Sequence, residues 1–164
     1  MSITELGSLG ELVASIAVLV TLVFLVFQMR QNTKTMQIAT STAVIQNWVQ
    51  ISRDITQDND LADIWSRVVG MSADAAVALT EKEQQKLSYW VNSSMRTIEV
   101  AYLHWLDGHL DHRIWEGHLK TFRIWMGYPI VQHMWDGGNR DLCSEEFRDF
   151  VDRLIAEQAT DAPS

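Results

Sequence analysis

The feature that most limits this chain is the run from Leu12 to Met29, LVASIAVLVTLVFLVFQM, eighteen residues without a charge. A helix of that length rises about 27 Å, close to the hydrocarbon thickness of a bilayer. Extending back to Leu9 adds a turn at the interface and takes in Glu11. A cleaved signal peptide needs a basic leader, a shorter apolar core and small residues at a cleavage site. Here Glu5 and Glu11 precede the run without any Lys or Arg, and QMRQNTK follows it without an A-x-A pattern. The run therefore reads as an uncleaved transmembrane anchor. The competing reading is a buried core helix of a soluble protein.

All 13 Lys and Arg residues follow the run, beginning with Arg30 and Lys34. Basic residues stay on the cytoplasmic side, which predicts a short N-terminus outside and residues 30–164 in the cytoplasm. With Glu5 and Glu11 set aside, that part carries 19 acids against the 13 bases. Its net negative charge disfavours lying flat on anionic lipid and disfavours general nucleic-acid binding, which needs a basic face. The 164 residues suit one helical domain behind the anchor. A lone cysteine, Cys143, excludes an intramolecular disulfide framework and a cysteine zinc site.

The rest reads as helix. Asn32 to Thr56 contains no Gly or Pro, and Ile38, Ser41, Ile45, Trp48 and Ile55 recur at a 3–4 spacing. The membrane helix is thus expected to run on into the cytoplasm as one rod, with that stripe needing cover. Asn59 or Asp60 caps a second helix carrying Leu61, Ile64, Trp65, Val68 and Val69, and Gly70 stops it. After the small loop MSADAAVAL, Thr80 and Glu83 form a capping box before a helix that ends near Gly108. Its apolar face carries Leu87, Val91, Met95, Ile98, Tyr102 and Trp105. Asp111 caps the next helix, with Trp115, His118, Leu119, Phe122, Trp125 and Met126 on one face and Gly127 as its stop. Pro129 opens a short helix through Trp135 that Gly137-Gly138 terminates. Ser144 caps the last, whose Glu145 and Glu146 suit the positive end of the dipole and whose stripe is Phe147, Phe150, Val151, Leu154 and Ile155. No segment alternates with period 2, so no sheet is expected. The predicted fold is all-α: an anchor over 1–30 continuing into a helical domain over 31–158 with about five further helices, then a frayed tail over 159–164.

The reactive residues point to no reaction. His104, His109, His112, His118 and His133 do not show the spacing of a convergent metal site, and neither H-E-x-x-H nor paired E-x-x-H motifs occur. Asp58, Asp60, Asp63, Glu145 and Glu146 sit at helix starts, where the dipole alone favours them. Cys143, near Arg140, reads as a loop thiol without a catalytic partner. No nucleophile elbow, phosphate loop or dinucleotide fingerprint occurs, and no cofactor or metal is expected. The seven tryptophans are the most unusual component. Most are expected in the core, with a pocket or a protein interface as the other use. In the membrane run Gly10, Ala14, Ala17 and Thr21 share one helix face and allow close approach of another helix. At its cytoplasmic end Gln28 and Arg30 can reach the interface, while Asn32 and Thr33 are placed to bond a neighbouring copy.

The stretch IAVLVTLVFLVFQMRQNTKTM resembles the opening of a large group of uncharacterised bacterial single-pass membrane proteins. Thr21-Leu22, Leu25, Gln28, Arg30, Gln31, Asn32 and Thr33 carry the resemblance. Asn59 to Trp65, Asp107 to Asp111, Ile114 to Gly117 and Phe147 to Val151 look like later segments of the same group. His109 and His112 depart from it, since the group usually has hydrophobic or acidic residues there. The resemblance implies a bacterial inner-membrane protein with one transmembrane helix and a cytoplasmic helical domain, and it implies no reaction. The expected function is a non-catalytic, membrane-tethered module that associates with itself or another membrane protein, such as an accessory subunit of a membrane complex. The alternative is a helical-bundle enzyme or small-ligand sensor with a Trp-lined pocket.

Overall fold

The computed structural model describes residues 3–69 and 79–161. Among these residues the chain forms six α-helices and no strand, the all-α arrangement the sequence predicts. The first, α1 (Ile3–Gln57), is one helix of 55 residues. No Gly or Pro interrupts it after Gly10. Its hydroxyls turn inward: Ser15 donates to Glu11 O, Thr21 to Ala17 O and Thr33 to Met29 O. Such back-bonding leaves no free donor on an apolar surface. The domain meets this rod only from Gln37 onward.

On α1 the core takes Val44 and Ile51, each 6% exposed, with Trp48 and Ile55 packed beside them. The expected stripe is corrected here, because Ile38 is 60% and Ile45 42% exposed. The buried face follows positions 37, 41, 44, 48, 51 and 55, one residue back from Ile38 and Ile45. Polar needs of a distant turn select it. Gln37 Nε2 donates to Gly108 O at 2.8 Å, and Asp111 N approaches Ser41 Oγ at 3.5 Å. An isoleucine at those contacts would leave turn groups unpaired.

One residue, Asp58, separates α1 from α2 (Asn59–Val68). Asp58 is extended at φ −105° and ψ 99°, and its carboxylate accepts from Leu61 N at 3.0 Å. This corrects the expected cap at Asn59 or Asp60. Lys86 Nζ lies 2.7 Å from the same oxygen, and that contact is the main reason the Asp58 carboxyl sits below its ordinary pKa. The expected stop at Gly70, and the loop that follows it, lie outside the described residues.

Helix α3 (Glu81–Leu106) starts with the capping box read from the sequence. Thr80 N donates to Glu83 Oε2 at 2.8 Å, and Glu83 N donates to Thr80 Oγ1 at 3.4 Å. Arg67, near the end of α2, reaches the same carboxylate. The Thr80 amide and hydroxyl, then Arg67, hold the Glu83 carboxyl at about 2, against an ordinary 4.5. That stabilisation is complete above the ordinary pKa and fades as pH falls toward 2. Thr80→Ala is therefore expected to cost about 1 kcal/mol at pH 7. Its difference from wild type should narrow in urea titrations run between pH 5 and pH 2. An unchanged stability at pH 7 would remove the box from the account of this helix.

Gly108, at φ +71°, closes α3 and lets the amides of His109 and Leu110 return to His104 O at 2.8 and 3.1 Å. A side chain at that φ would be strained. Asp111 caps α4 (His112–Met126) through Arg113 N, as expected. Pro129 opens α5 (Pro129–Met134). The chain does not stop at Gly137-Gly138. It continues in a widened π turn, Trp135–Asn139, that Gly138 breaks at φ +128°, and then a 3₁₀ turn, Arg140–Leu142. The last helix is α6 (Glu145–Asp161), which takes in 159–161 of the expected tail; residues 162–164 of that tail lie outside the described residues.

Two aromatic clusters hold these helices together. Trp48, Trp65, Trp90 and Trp125, from four different helices, meet with ring centroids 5.0 to 5.8 Å apart. Tyr102 stacks on Phe150 at 4.5 Å and draws Trp115 and Phe147 into a second cluster that seats α6.

Candidate functional site

Among the described residues no other element covers the membrane-length part of α1. Its most apolar window has a mean hydropathy of 2.6 and none of it is buried, whereas a soluble core helix of that composition would be covered. Gly10, Ala14, Ala17 and Thr21 form one strip of this surface. Because the Thr21 hydroxyl returns to Ala17 O at 2.8 Å, the strip presents only small apolar atoms.

The four interface residues do not converge. At 100° per residue, Gln28 and Asn32 lie on one side of the helix and Arg30 and Thr33 on others, so they form a collar. All four are exposed. Thr33 donates to Met29 O at 3.0 Å, so its proton is already committed within the helix. Arg30 and Thr33 join Val26, Met29, Lys34 and Gln37 along a shallow groove of about 600 Å³. Its mixed apolar and cationic lining suits the level where lipid tails give way to headgroups.

The histidines are spread out. His104 and His109 have ring centroids 6.4 Å apart. His112 accepts at Nδ1 from Trp105 Nε1 and lies 3.2 Å from Glu116. His118 packs against Trp48 at 5.0 Å, and burial lowers its pKa. Among the described residues no group of three or more His, Cys, Asp or Glu side chains is placed to hold a metal ion. The Cys143 thiol is buried, bonds to Asn139 O at 3.5 Å, and is pushed up in pKa by that burial. Asp58 is tied to Lys86 of α3, and Asp63 pairs with Arg67 one turn along α2.

One ionisable residue escapes any reading of the sequence. Glu99, 3% exposed, lies on the core side of α3. Its carboxylate accepts from Arg96 Nη1 at 2.5 Å and from Ser144 N at 2.6 Å, while Arg96 also reaches Leu142 O at 2.8 Å. This corrects the expected cap of α6: the Ser144 hydroxyl is buried without a partner. The carboxylate of Glu99 meets the start of α6 instead, where the helix dipole favours a negative charge. Directly through Ser144 N, and through Arg96 to Leu142 O, it ties the 140–144 turn to α3.

A second groove of about 600 Å³ opens between α3 and the π turn, lined by Ser88, Asn92, His133 and Asn139 among others. Asn139 is only 7% exposed. The walls hold no carboxylate or thiol. His133 makes no hydrogen bond among the described residues that would orient its ring, so Ser88 has no fixed base. Ser88, Asn92 and Asn139 give the groove groups that can hydrogen-bond a polar ligand. Neither large groove has a tryptophan in its wall. Compared with protein-family models, curated proteins and solved structures, the chain matches none.

Proposed function

We propose that this chain is a membrane-anchored, non-catalytic interaction module. The run Leu12–Met29 spans the bacterial inner membrane with its N-terminal end outside. The helical domain stands in the cytoplasm, and the small-residue strip Gly10/Ala14/Ala17/Thr21 packs on another transmembrane helix. The observation that carries this reading is the contrast along α1. The same helix is covered by the domain from Gln37 onward, yet its most apolar window is wholly bare. Leaving that much apolar surface in water is costly, and a bilayer removes the cost. The collar Gln28–Thr33 then falls where hydrocarbon ends, and Arg30 and Lys34 give the cytoplasmic sign.

The full-length protein is expected to sediment with membranes and to resist carbonate and high-salt extraction. A C-terminal reporter active only in the cytoplasm should read positive. Release into the soluble fraction would overturn the anchor, and a periplasmic signal would reverse the topology.

A further inference from the structure

A bare strip also continues along α1 beyond the membrane. Starting from Gly10, Ala14, Ala17 and Thr21, the alternating steps of three and four lead without a skip through Phe24, Gln28, Gln31 and Thr35. They then reach Ile38, Thr42, Ile45 and Val49. Ile38, Ile45 and Val49 are all exposed large apolar residues. The domain occupies the neighbouring series 37/41/44/48/51/55, about 100° round the helix, and leaves this one open. Resting on the anchored-module reading, we infer that this strip is a parallel coiled-coil seam with a second copy of the same chain, continuous from the membrane into the cytoplasm.

The register requires supercoiling. A seven-residue repeat drifts about 20° per heptad on a straight helix, or roughly 100° over this length, and a left-handed supercoil removes the drift. The polar atoms along the strip suit burial. Thr21, Thr35 and Thr42 already donate to the carbonyls four residues back, at 2.8, 3.0 and 2.9 Å. Gln28 and Gln31 sit midway, and their carboxamides have no partner among the described residues. Across a two-fold axis each can pair with its copy, and such a polar layer fixes register and strand number.

Three arguments select a second copy as the occupant. Copies inserted with the same topology meet parallel and level, so small residues face small, Gln faces Gln, and Ile faces Ile. The chain carries a net charge of −8, and no charged residue lies on the strip between Gly10 and Val49, so like copies meet here without like charges. A strip about 60 Å long and roughly 10 Å wide covers about 600 Å² per copy. The pair then buries about 1,200 Å², the lower edge of a stable specific interface.

The test is disulfide crosslinking of the full-length protein in native membranes, in a Cys143→Ser background. Single cysteines at Ile38, Ile45 and Val49 are expected to give dimer bands at least about fivefold stronger than cysteines at Ala43 and Asn47, since a disulfide needs Cβ atoms about 4 Å apart. A flat or inverted pattern overturns the seam. Adding Ala14→Leu and Ala17→Leu should lower the Ile45→Cys crosslink several-fold while carbonate resistance is retained. An unchanged crosslink would separate the two halves and overturn the single register. Protein found in the soluble fraction would sink the anchored-module reading itself, whereas membrane-bound protein without the 3–4 pattern sinks only the seam.

Discussion

Replacing Phe147 by alanine is expected to destabilise the helical domain by about 3–5 kcal/mol, read from the urea midpoint at constant slope. Phe147 is 0% exposed. Its ring lies 5.7 Å from Tyr102 on α3, 6.1 Å from Phe122 on α4 and 6.1 Å, edge-on, from Trp135 at the π turn. The cost has two parts: the lost transfer of a large ring out of water, and the cavity left behind. The second part depends on how far the site can collapse. Here the walls belong to separate elements, and the Trp135 wall is fixed by a bond of its own. Trp135 Nε1 donates to Asp152 at 3.0 Å, and Arg140 pairs with the same carboxylate at 2.7 Å. The walls therefore stay apart and the cavity persists. Leu142→Ala, at an exposed site in the adjoining turn, should change stability by less than about 0.5 kcal/mol. A loss below about 1 kcal/mol for Phe147→Ala would mean that α6 is not seated through this cluster.

The helix starts were legible where one side chain and its own backbone settle them. Thr80 with Glu83, Asp111 with Arg113 N, and Pro129 at the opening of α5 are decided within three residues. The cap of α2 was not, because Asp58, Asn59 and Asp60 are equivalent candidates in sequence. Lys86, 28 residues downstream, breaks the tie. The stripe read on α1, 38/41/45/48/55, mixed two neighbouring series for the same kind of reason: Ser41, Trp48 and Ile55 face the domain, while Ile38 and Ile45 do not. Positions 37/41/44/48 and 38/42/45/49 are both 3–4 series, and the second is richer in apolar side chains. The first is buried because the turn after α3 needs the Gln37 amide. Glu99 was invisible because a carboxylate on a helix reads as surface, and its partner Ser144 lies 45 residues away. The groove beside Asn139 escaped too, since its walls come from α3 and from a turn whose widening no local pattern announces. The tryptophans were legible as core, and four of the seven, Trp48, Trp65, Trp90 and Trp125, pack together from four helices, where each indole brings a large apolar area.

A chain beginning at Gln37 is expected to leave the membrane fraction entirely while its domain stays folded, with a melting temperature within about 5 °C of the domain in the full protein. The buried core starts at Val44, and every residue of the cluster lies in the retained part. Gln37 keeps its bond to Gly108 O. The truncation frays the first turn of a helix that Trp48 and Ile51 pin farther along, so it removes few packing contacts. What it removes is the membrane run and with it the shared plane. In the proposed seam, tethering would hold copies at high effective concentration, so that modest contacts through Ile38, Ile45 and Val49 would suffice. Free in solution, the same three residues without the small-residue half of the strip should leave the fragment monomeric at micromolar concentration by light scattering. An unfolded fragment would show that residues before Gln37 contribute to the domain's core. A fragment that still sediments with membranes would place a second lipid contact on the domain, where the net negative charge argues against one.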